Sequence, residues 1–392
     1  MKKISLVSGS RAEYGQLKPL LMRLQMEKDL EINFVITGAH LNREFGNTQD
    51  EINEDLININ AKIERIPLNY YGDSEKDMAI STGEAVTHFA EYLKLNRPDL
   101  LVLIGDRYEI FAFSVAASLQ VIPIAHICGG SATLGAVDEF LRHSITKMSY
   151  LHFTTCETYR KRVIQLGESP NRVYNVGSLA IENSLNIKLL SREELCENLS
   201  IKKDVPYCVV TFHPVTLELE SAESQLFELI QAMDANAQYH YIITLANADA
   251  GSKRINDIWK KQWEKRDNWT VVPSLGVKRY LSALKYCEMM IGNSSSGTTE
   301  GPAMCVPIIN IGNRQKGRVM TDSILSCETI TSDIIATMNT AKSNKFKKIV
   351  QEVKSPFGEG NTSEKITEII TSIIHTDKID LKKKFYDIQY DL

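Results

Sequence analysis

Several charged residues of this sequence directly follow apolar runs, where their side chains could transfer protons. Asp106 and Arg107 come immediately after the run LLVLIG. Asp138 and Arg142 are four residues apart and therefore share one face of a helix, with Glu139 beside them. A carboxylate at the end of a buried strand can act as a general base, or it can cap the next helix. An Asp–Arg pair can also be an ordinary surface ion pair, so both interpretations remain open here.

A loop of small residues in the second half of the chain is typical of diphosphate binding. The segment IGNSSSGTTEG places Ser294, Ser295 and Gly297 after an apolar run and predicts a helix that begins near Ser295. Small side chains let the backbone approach a ligand, and the free N–H groups of a helix start attract phosphate. Glu300, about one turn into that helix, could accept hydrogen bonds from a ribose. The alternative is a Ser/Gly turn followed by an ordinary glutamate.

Four other polar residues also follow apolar runs. Arg11 lies in GSRAEYG after the first run, His213 in FHP, Asn247 in NADAG and Arg314 in IGNRQKGR. An arginine at such a position can pair with phosphate oxygens, and a histidine can donate to a phosphate or move a proton. The dinucleotide-binding pattern GxGxxG is absent. A solvated arginine and a histidine in a structural turn are the plain alternatives.

The elements that must position these residues alternate along the chain. Continuous apolar runs separated by helical patterns predict parallel strands covered by helices on both faces. Because the polar candidates all follow such runs, we expect them at the carboxyl edges of the sheets, where ligands bind in this architecture. The predicted strands are Ile4–Ser8, Ile32–Thr37, Leu100–Gly105, Ile122–Ile127, Tyr150–Thr154, Tyr207–Phe212, His240–Leu245, Thr270–Val272, Met289–Gly292 and Pro307–Ile311.

This pattern pauses once and so predicts two doubly wound, Rossmann-like α/β domains. The N-terminal domain is expected over residues 1–181 and the C-terminal domain over 206–365, joined by a polar connection at 182–205. Residues 366–392 are predicted to form a helical tail that packs back on the N-terminal domain, with amphipathic helical character continuing through Ile379–Tyr386. We expect the first domain to supply the carboxylates and the second to bind the nucleotide.

Composition narrows the class of protein further. The 392 residues include 45 Lys and Arg against 49 Asp and Glu, and the resulting net charge of −4 gives no bulk attraction to nucleic acid or anionic membrane. The 7 cysteines are irregularly spaced without a CxxC pair, which indicates neither a zinc site nor a disulfide framework. No run approaches about 18 apolar residues, and the N-terminus does not resemble a signal peptide. We therefore expect a cytoplasmic protein without a bound metal.

The motifs taken together resemble the hydrolysing UDP-N-acetylglucosamine 2-epimerases of bacterial sialic-acid biosynthesis. The resemblance extends from residue 1 to about 350 and rests on SGSRAEYGQLKPL, FVITGAHL, LIGDRYE, LGAVDEFLRHSITKMS, TFHPVTLE, IGNSSSGTTEGP and INIGNRQKGR. It implies a glycosyltransferase-B-like fold with the ligand in a cleft between the two domains. It also implies conversion of UDP-N-acetylglucosamine and water to N-acetylmannosamine and UDP by a homodimer or homotetramer without a cofactor.

The resemblance also assigns roles to the candidate residues. Asp106, Asp138 and Glu139 would be the catalytic carboxylates, with Arg142 and His213 assisting. The chain departs from the family pattern H-I-x-G-G-E, because Cys128 occupies the variable position and Ser131 replaces the final glutamate. The residues expected to bind substrate or UDP are Arg11, Arg107, His213, Asn247, Ser294, Ser295, Gly297, Glu300 and Arg314.

Other functions of the same fold compete with this interpretation. UDP-N,N′-diacetylbacillosamine is an alternative substrate of the hydrolysing family, and a non-hydrolysing UDP-N-acetylglucosamine 2-epimerase is a second alternative. A glycosyltransferase that uses an acceptor in place of water, and a sugar-nucleotide-binding protein without catalysis, belong to other functional classes. Each of these predicts a different product from the same nucleotide sugar.

Overall fold

The chain divides into two compact units in the computed structural model. The structure describes residues 1–42, 48–56, 59–72, 74–134, 136–215, 221–246, 251–376 and 379–389. The first unit comprises Met1–Ser131, Asp138–Asn183 and Pro356–Leu392, and the second comprises Ala132–Val137 and Ser184–Ser355. The short segment Ala132–Val137 therefore packs with the second unit, although the chain on both sides of it belongs to the first.

A seven-stranded parallel sheet forms the centre of the first unit. Its strand order is β3-β2-β1-β4-β5-β6-β7. The strands are β1 (Lys2–Ser8), β2 (Leu30–Thr37), β3 (Lys62–Ile66), β4 (Leu100–Ile104), β5 (Ile124–Ile127), β6 (Leu151–Thr154) and β7 (Val173–Asn175). The helices are α1 (Arg11–Leu24), α2 (Thr48–Leu56), α3 (Glu75–Leu95), α4 (Tyr108–Leu119), α5 (Asp138–Met148), α6 (Glu157–Gln165), α7 (Leu179–Asn186), through which the chain leaves this unit, and α15 (Thr362–Ile374).

The all-apolar sequence of β4 shows why this sheet is buried on both faces. Leu100, Val102 and Ile104 join the hydrophobic cluster that includes α1 and α15, whereas Leu101 and Leu103 join the cluster that includes α3 and α4. Successive side chains of a strand point to opposite faces, so a continuous apolar run requires cover on both. The central position of β4 therefore follows from its composition.

The second unit repeats this architecture with a six-stranded parallel sheet in the order β10-β9-β8-β11-β12-β13. Its strands are β8 (Tyr207–Thr211), β9 (His240–Thr244), β10 (Trp269–Val272), β11 (Met289–Gly292), β12 (Ile308–Ile311) and β13 (Ile324–Cys327). Its helices are α8 (Arg192–Leu199), α9 (Ala222–Asp234), α10 (Ser252–Trp263), α11 (Gly276–Tyr286), α12 (Glu300–Ala303), α13 (Thr331–Ala341) and α14 (Asn344–Glu352). No helix among the described residues is both long enough and apolar enough to cross a membrane.

The boundaries of the units differ from those predicted. The segment 182–205, expected to be a polar connection, contains α8, whose Leu195 and Cys196 are buried in the core of the second unit. Residues 356–365, expected in the C-terminal domain, belong to the first unit. Amphipathic α8 has few apolar residues, so its sequence alone resembles a linker.

Two predicted helices are wrong. A 3₁₀ turn over Ser295–Gly297 and the four-residue α12 replace the helix expected to begin near Ser295. The segment 379–389 is not helical, and some of its polar groups bond to earlier parts of the first unit. Lys383 Nζ donates to the Ser149 carbonyl at 2.6 Å, and the Tyr386 amide donates to the Gly167 carbonyl at 2.9 Å.

Candidate active site

A buried arginine gathers the predicted carboxylates at the edge of the first sheet. Arg142, on α5, is fully buried. Its Nε donates to Asp106 Oδ2 at 2.7 Å, and its Nη1 donates to Glu139 Oε2 at 2.9 Å. Asp106 follows β4, where Gly105 turns the chain with φ 78°. Asp106 and Glu139, both predicted from sequence, therefore bond directly to the same predicted arginine, Arg142.

Asp138 belongs to the same electrostatic group. It is the first residue of α5 and is half-buried. Burial alone lowers the pKa of Arg142, but the charges of Asp106, Asp138 and Glu139 outweigh burial, so the pKa is raised. Asp106 retains 24% side-chain exposure and Glu139 retains 20%. Partly exposed carboxylates held by a buried cation can meet a ligand without losing their orientation.

The family departure at Ser131 leaves this arrangement in place. Ser131 contacts Arg142 through its backbone carbonyl, which accepts from Nη1 at 3.1 Å. This contact does not depend on the side chain at position 131. Cys128 adopts a positive φ of 71°, forms no disulfide and has intermediate exposure. Neither position therefore supplies a carboxylate to the cluster.

His126 supports the Asp106 turn from beneath. Its Nε2 lies 2.8 Å from the Gly105 carbonyl, and its Nδ1 lies 3.3 Å from Thr146 Oγ1. Burial lowers the pKa of His126 to about 4, so the ring is neutral at physiological pH. A neutral ring with its proton on Nε2 satisfies both contacts.

The other predicted arginines of the first unit lie at neighbouring strand ends. Arg11 is the first residue of α1, directly after β1, and β1 pairs with β4. Arg107 forms a two-point ion pair with Glu109, with Nε to Oε2 and Nη2 to Oε1 both at 3.2 Å. Parallel pairing of β1 and β4 thus places Arg11 and Arg107 at the same edge as Asp106.

The second unit presents a different set of groups at its own strand edge. The Asn293 side chain connects β11 to β8 by accepting from the His213 amide at 2.7 Å and donating to the His213 carbonyl at 2.8 Å. The backbone carbonyl of Asn293 accepts from Arg314 Nη1 at 3.1 Å and from Gln315 Nε2 at 2.7 Å. His213 and Arg314, both predicted from sequence, are therefore held by one asparagine that was not.

The Ser/Gly loop is a compact turn fixed by its own side chains. Ser294 caps the 3₁₀ turn by accepting from the Ser296 amide at 3.3 Å, and Tyr280 donates to Ser296 Oγ at 2.8 Å. Ser294 and Ser295 are half-buried, so part of each residue is exposed to solvent. Because α12 spans only four residues, a helix dipole adds little at this loop. A phosphate at this loop would therefore be attracted mainly by backbone N–H groups, hydroxyls and Arg314.

Two further predicted residues of this loop have distinct surroundings. Glu300 begins α12, and burial raises its pKa. Gly297 is fully buried, and a Cβ there would lie 3.0 Å from Ile308 Cγ2, so packing against β12 requires its small size. Asn247 lies outside the described residues. Within the described ranges, no cluster of three or more His, Cys, Asp or Glu side chains could hold a metal ion.

Sequence reasoning missed the residues that act as partners. Glu13, Glu109, Asn293, Gln315 and Tyr280 each bond to a predicted residue or its turn. Only Glu13 had a local signal, because Ser10 three residues earlier completes the capping-box pattern S-x-x-E. Glu109 bonds to Arg107 only two residues away, but no sequence motif marks it. Asn293, Gln315 and Tyr280 bond to residues 16 or more positions away, so spacing alone does not reveal them.

Comparison with known proteins places this chain in a family. The sequence pattern of UDP-N-acetylglucosamine 2-epimerase matches residues 22–371. Polysialic acid biosynthesis protein P7 of Escherichia coli is 40% identical over 99% of this chain and 98% of its own length. GDP/UDP-N,N′-diacetylbacillosamine 2-epimerase (hydrolyzing) of Campylobacter jejuni subsp. jejuni is 37% identical over 99% of both chains.

Solved structures agree with the predicted fold class of two Rossmann-like, glycosyltransferase-B-like domains. UDP-GlcNAc 2-epimerase of Neisseria meningitidis, solved with UDP-GlcNAc, has a TM-score of 0.80 at 19% identity and covers 95% of this chain and 100% of its own. At that identity the likeness confirms the fold, while the sequence matches establish kinship. The chain therefore belongs to the UDP-N-acetylglucosamine 2-epimerase family.

Proposed function

We propose that this protein is a hydrolysing UDP-N-acetylglucosamine 2-epimerase that supplies N-acetylmannosamine for sialic-acid biosynthesis. It converts UDP-N-acetylglucosamine and water to N-acetylmannosamine and UDP. Membership of the family and the 40% identity to a polysialic acid biosynthesis protein support this assignment. The observation that carries it is the group of carboxylates organised by the buried Arg142.

The chemistry explains why such a group is needed. The C2 proton of the sugar is not adjacent to a carbonyl, so direct removal is difficult. When the C1–O bond breaks, its electron pair leaves with UDP, and the positive charge at C1 acidifies the C2–H bond. A carboxylate then takes the proton, and the C–H electrons form the C1=C2 bond of 2-acetamidoglucal. We assign proton transfer to Asp106 and Asp138, with Glu139 assisting.

Hydration completes the reaction. Water adds its oxygen to C1 and releases a proton, and an acid delivers a proton to the opposite face of C2. The result is inversion at C2 and free N-acetylmannosamine. This sequence needs one acid and one base but no redox partner, so we propose that it proceeds without a cofactor.

The leaving UDP needs stabilisation by groups that are already oriented. We assign this role to the accessible hydroxyls and amides of Ser294 and Ser295, with Arg11 and Arg314 as cations. We assign donation to phosphate to His213 and acceptance from the ribose hydroxyls to Glu300. Arg107, Gly297 and Asn247 complete the proposed substrate-binding set.

Turnover in deuterated water tests the reaction directly. Proton NMR of the protein with UDP-N-acetylglucosamine is expected to show UDP and N-acetylmannosamine carrying deuterium at C2. Asp106→Asn and Asp138→Asn are each expected to lower turnover by about 10²–10⁴-fold, because each removes a proton-transfer group. Asp257→Asn, on the exposed side of α10, is the matched control and should retain full turnover.

The other outcomes of this experiment are equally informative. UDP-N-acetylmannosamine as product would identify a non-hydrolysing epimerase. Near-normal turnover in both Asn variants would overturn the carboxylate assignment. Tight UDP binding without turnover would indicate a binding protein.

A second substrate has specific support. Relatives named as UDP-N,N′-diacetylbacillosamine 2-epimerases are 37% and 31% identical to this chain over at least 95% of its length. Competition between the two nucleotide sugars in one reaction mixture gives the ratio of their kcat/KM values. A ratio that favours the diacetylated sugar would reassign the substrate while leaving the hydrolysing chemistry unchanged.

The proposed setting is a cytoplasmic homodimer or homotetramer. None of the seven cysteines, all of which are among the described residues, forms a disulfide, which fits a reducing compartment. Light scattering of the purified protein measures the oligomeric state.

A further inference from the structure

Two glutamates lie beneath the strand-end turns of the first unit. Glu13 Oε2 accepts from the amides of Gly9 at 2.6 Å and Ser10 at 3.1 Å, and Glu109 pairs with Arg107. A Cβ on Gly9 would lie 3.4 Å from both Glu13 Oε2 and Glu109 Cβ, so the two side chains flank this glycine. We call Glu13 and Glu109 the buried carboxyl pair, since their side chains are almost entirely enclosed.

The pair is tied to the turns that end β1, β2 and β4. Gly38 follows β2 with φ 57°, and a Cβ there would lie 2.7 Å from Glu109 Oε1. Glu13 Oε1 would lie 3.9 Å from a Cβ on Gly105, the residue before Asp106. The pair therefore touches the backbone that carries the proposed catalytic edge.

The charges around the pair do not balance if both carboxyls are ionised. Arg107 contributes one positive charge and is already engaged by Glu109. Asp106 adds negative charge near Glu13. Two groups on neighbouring elements also face this region. Arg11 of α1 is close enough to act on His40, and His40 is neutral because burial lowers its pKa to about 4.

The hydrogen bonds of Glu13 also favour its neutral form. Glu13 is 6% exposed, and no hydrogen-bond donor among the described residues reaches its buried Oε1. An ionised carboxylate with one buried oxygen left unsatisfied is strongly disfavoured relative to the neutral acid.

We propose that Glu13 is a positioning residue that stays protonated at neutral pH and keeps Arg107 on Glu109. This inference rests on the proposed function, because Asp106 and Arg107 belong to the proposed site. Loss of the proton makes Glu13 compete with Glu109 for Arg107 and places a negative charge next to Asp106. Turnover then falls because the Gly105–Arg107 turn loses its orientation.

The electrostatics of Glu13 support this role. Burial raises its pKa to about 8, and the attraction of Arg107 only partly offsets burial. A second capping box in the chain shows that burial and not the motif is responsible. Glu194 accepts from the Ser191 amide at 2.8 Å in the same geometry, but it is exposed and that hydrogen bond lowers its pKa.

Glu13→Gln tests the proposal, because glutamine keeps the capping geometry and never ionises. UDP release is measured at saturating substrate between pH 6 and pH 9. The wild type is expected to lose about tenfold in kcat from pH 7 to pH 9, whereas Glu13→Gln should vary within about twofold. Glu194→Gln is the matched control and should follow the wild-type profile. Equal falls in Glu13→Gln and wild type would overturn the positioning role.

Unfolding in urea detects the proton without any reference to catalysis. Native Glu13 holds its proton to about pH 8, whereas the unfolded side chain loses it near pH 4.5. The native state therefore binds more protons, and the free energy of unfolding falls as pH rises through this window. Glu13→Gln should lack this decline. Parallel curves for variant and wild type would show that Glu13 holds no proton.

The kinetic and unfolding experiments together distinguish failure of this inference from failure of the proposed function. If the wild type releases no UDP from either nucleotide sugar, the proposed function fails and the unfolding arm still decides the protonation of Glu13. If Glu13→Gln does not fold, Glu109→Gln replaces it. Glu109→Gln removes the negative charge beside Glu13 and frees Arg107, and both changes favour the ionised form of Glu13. The pH at which turnover is lost should therefore fall by at least one unit. An unchanged pH profile would overturn the proposal.

Discussion

The two units differ in the chemical groups that hold the carboxyl edges of their sheets. At the edge of the first sheet, full charges face each other: Arg142 with Asp106 and Glu139, and Arg107 with Glu109. At the edge of the second sheet, a neutral amide joins the two central strands through the His213 backbone. The same parallel architecture therefore supports an edge held by ion pairs in one unit and an edge held by a neutral amide in the other.

The difference suits the two halves of the proposed reaction. Proton transfer needs groups whose charge can change, and neighbouring cations keep such groups oriented. UDP is itself negatively charged, so a site made of amides and hydroxyls would bind it without adding buried anions. Glu300 is the exception in the loop, and burial favours its neutral form by raising its pKa.

Removing the cation of the first edge is expected to give the largest loss of stability. Arg142→Met leaves the partly exposed Asp106 and Glu139 without their shared buried partner. We expect a cost near the lower end of the about 3–5 kcal/mol that is typical of breaking a fully buried pair. Urea unfolding measures the loss. Lys203→Met removes the exposed pair with Glu197 and should leave the unfolding midpoint unchanged. Equal effects would show that the first edge is not held by Arg142.

The neutral edge should respond differently. Asn293→Ala leaves the His213 amide and carbonyl unsatisfied, which costs about 1–3 kcal/mol and should weaken UDP binding by about 10–100-fold. Because no titrating group is lost, calorimetry should give the same ratio at pH 6 and pH 8. Asn198→Ala, an exposed asparagine that bonds to the Glu194 carbonyl, is the control. A ratio that changes with pH would contradict the neutral character of this edge.

The interior strands could be predicted from sequence, whereas three edge strands could not. Strands β4, β8 and β11 consist mainly of apolar residues, as expected for strands that helices cover on both faces. The missed strands β3, β7 and β13 lie at the margins of the sheets, and their partly exposed side chains break the apolar pattern.

The same limit applies to the site. Asp106, Arg142 and His213 could be predicted because each follows a strand or shares a helical face with another candidate. Asn293 and Gln315 could not, because their roles depend on contacts with parts of the chain that only folding brings together. Spacing predicts which residues reach the edge, but tertiary contacts decide which groups hold them there.

The smallest expected effect comes from two Tyr→Phe variants that distinguish the Ser/Gly loop from the rest of the second unit. Tyr280→Phe removes the hydroxyl that donates to Ser296, and Tyr207→Phe removes a buried hydroxyl that donates to the Ala283 carbonyl at 3.0 Å. Each change should lower the free energy of unfolding by about 1 kcal/mol. Only Tyr280→Phe should also weaken UDP binding, by about fivefold, because its hydrogen bond fixes the turn that carries Ser294 and Ser295. If both variants bind UDP like the wild type, the turn is rigid without Tyr280, and the capping by Ser294 is sufficient to hold it.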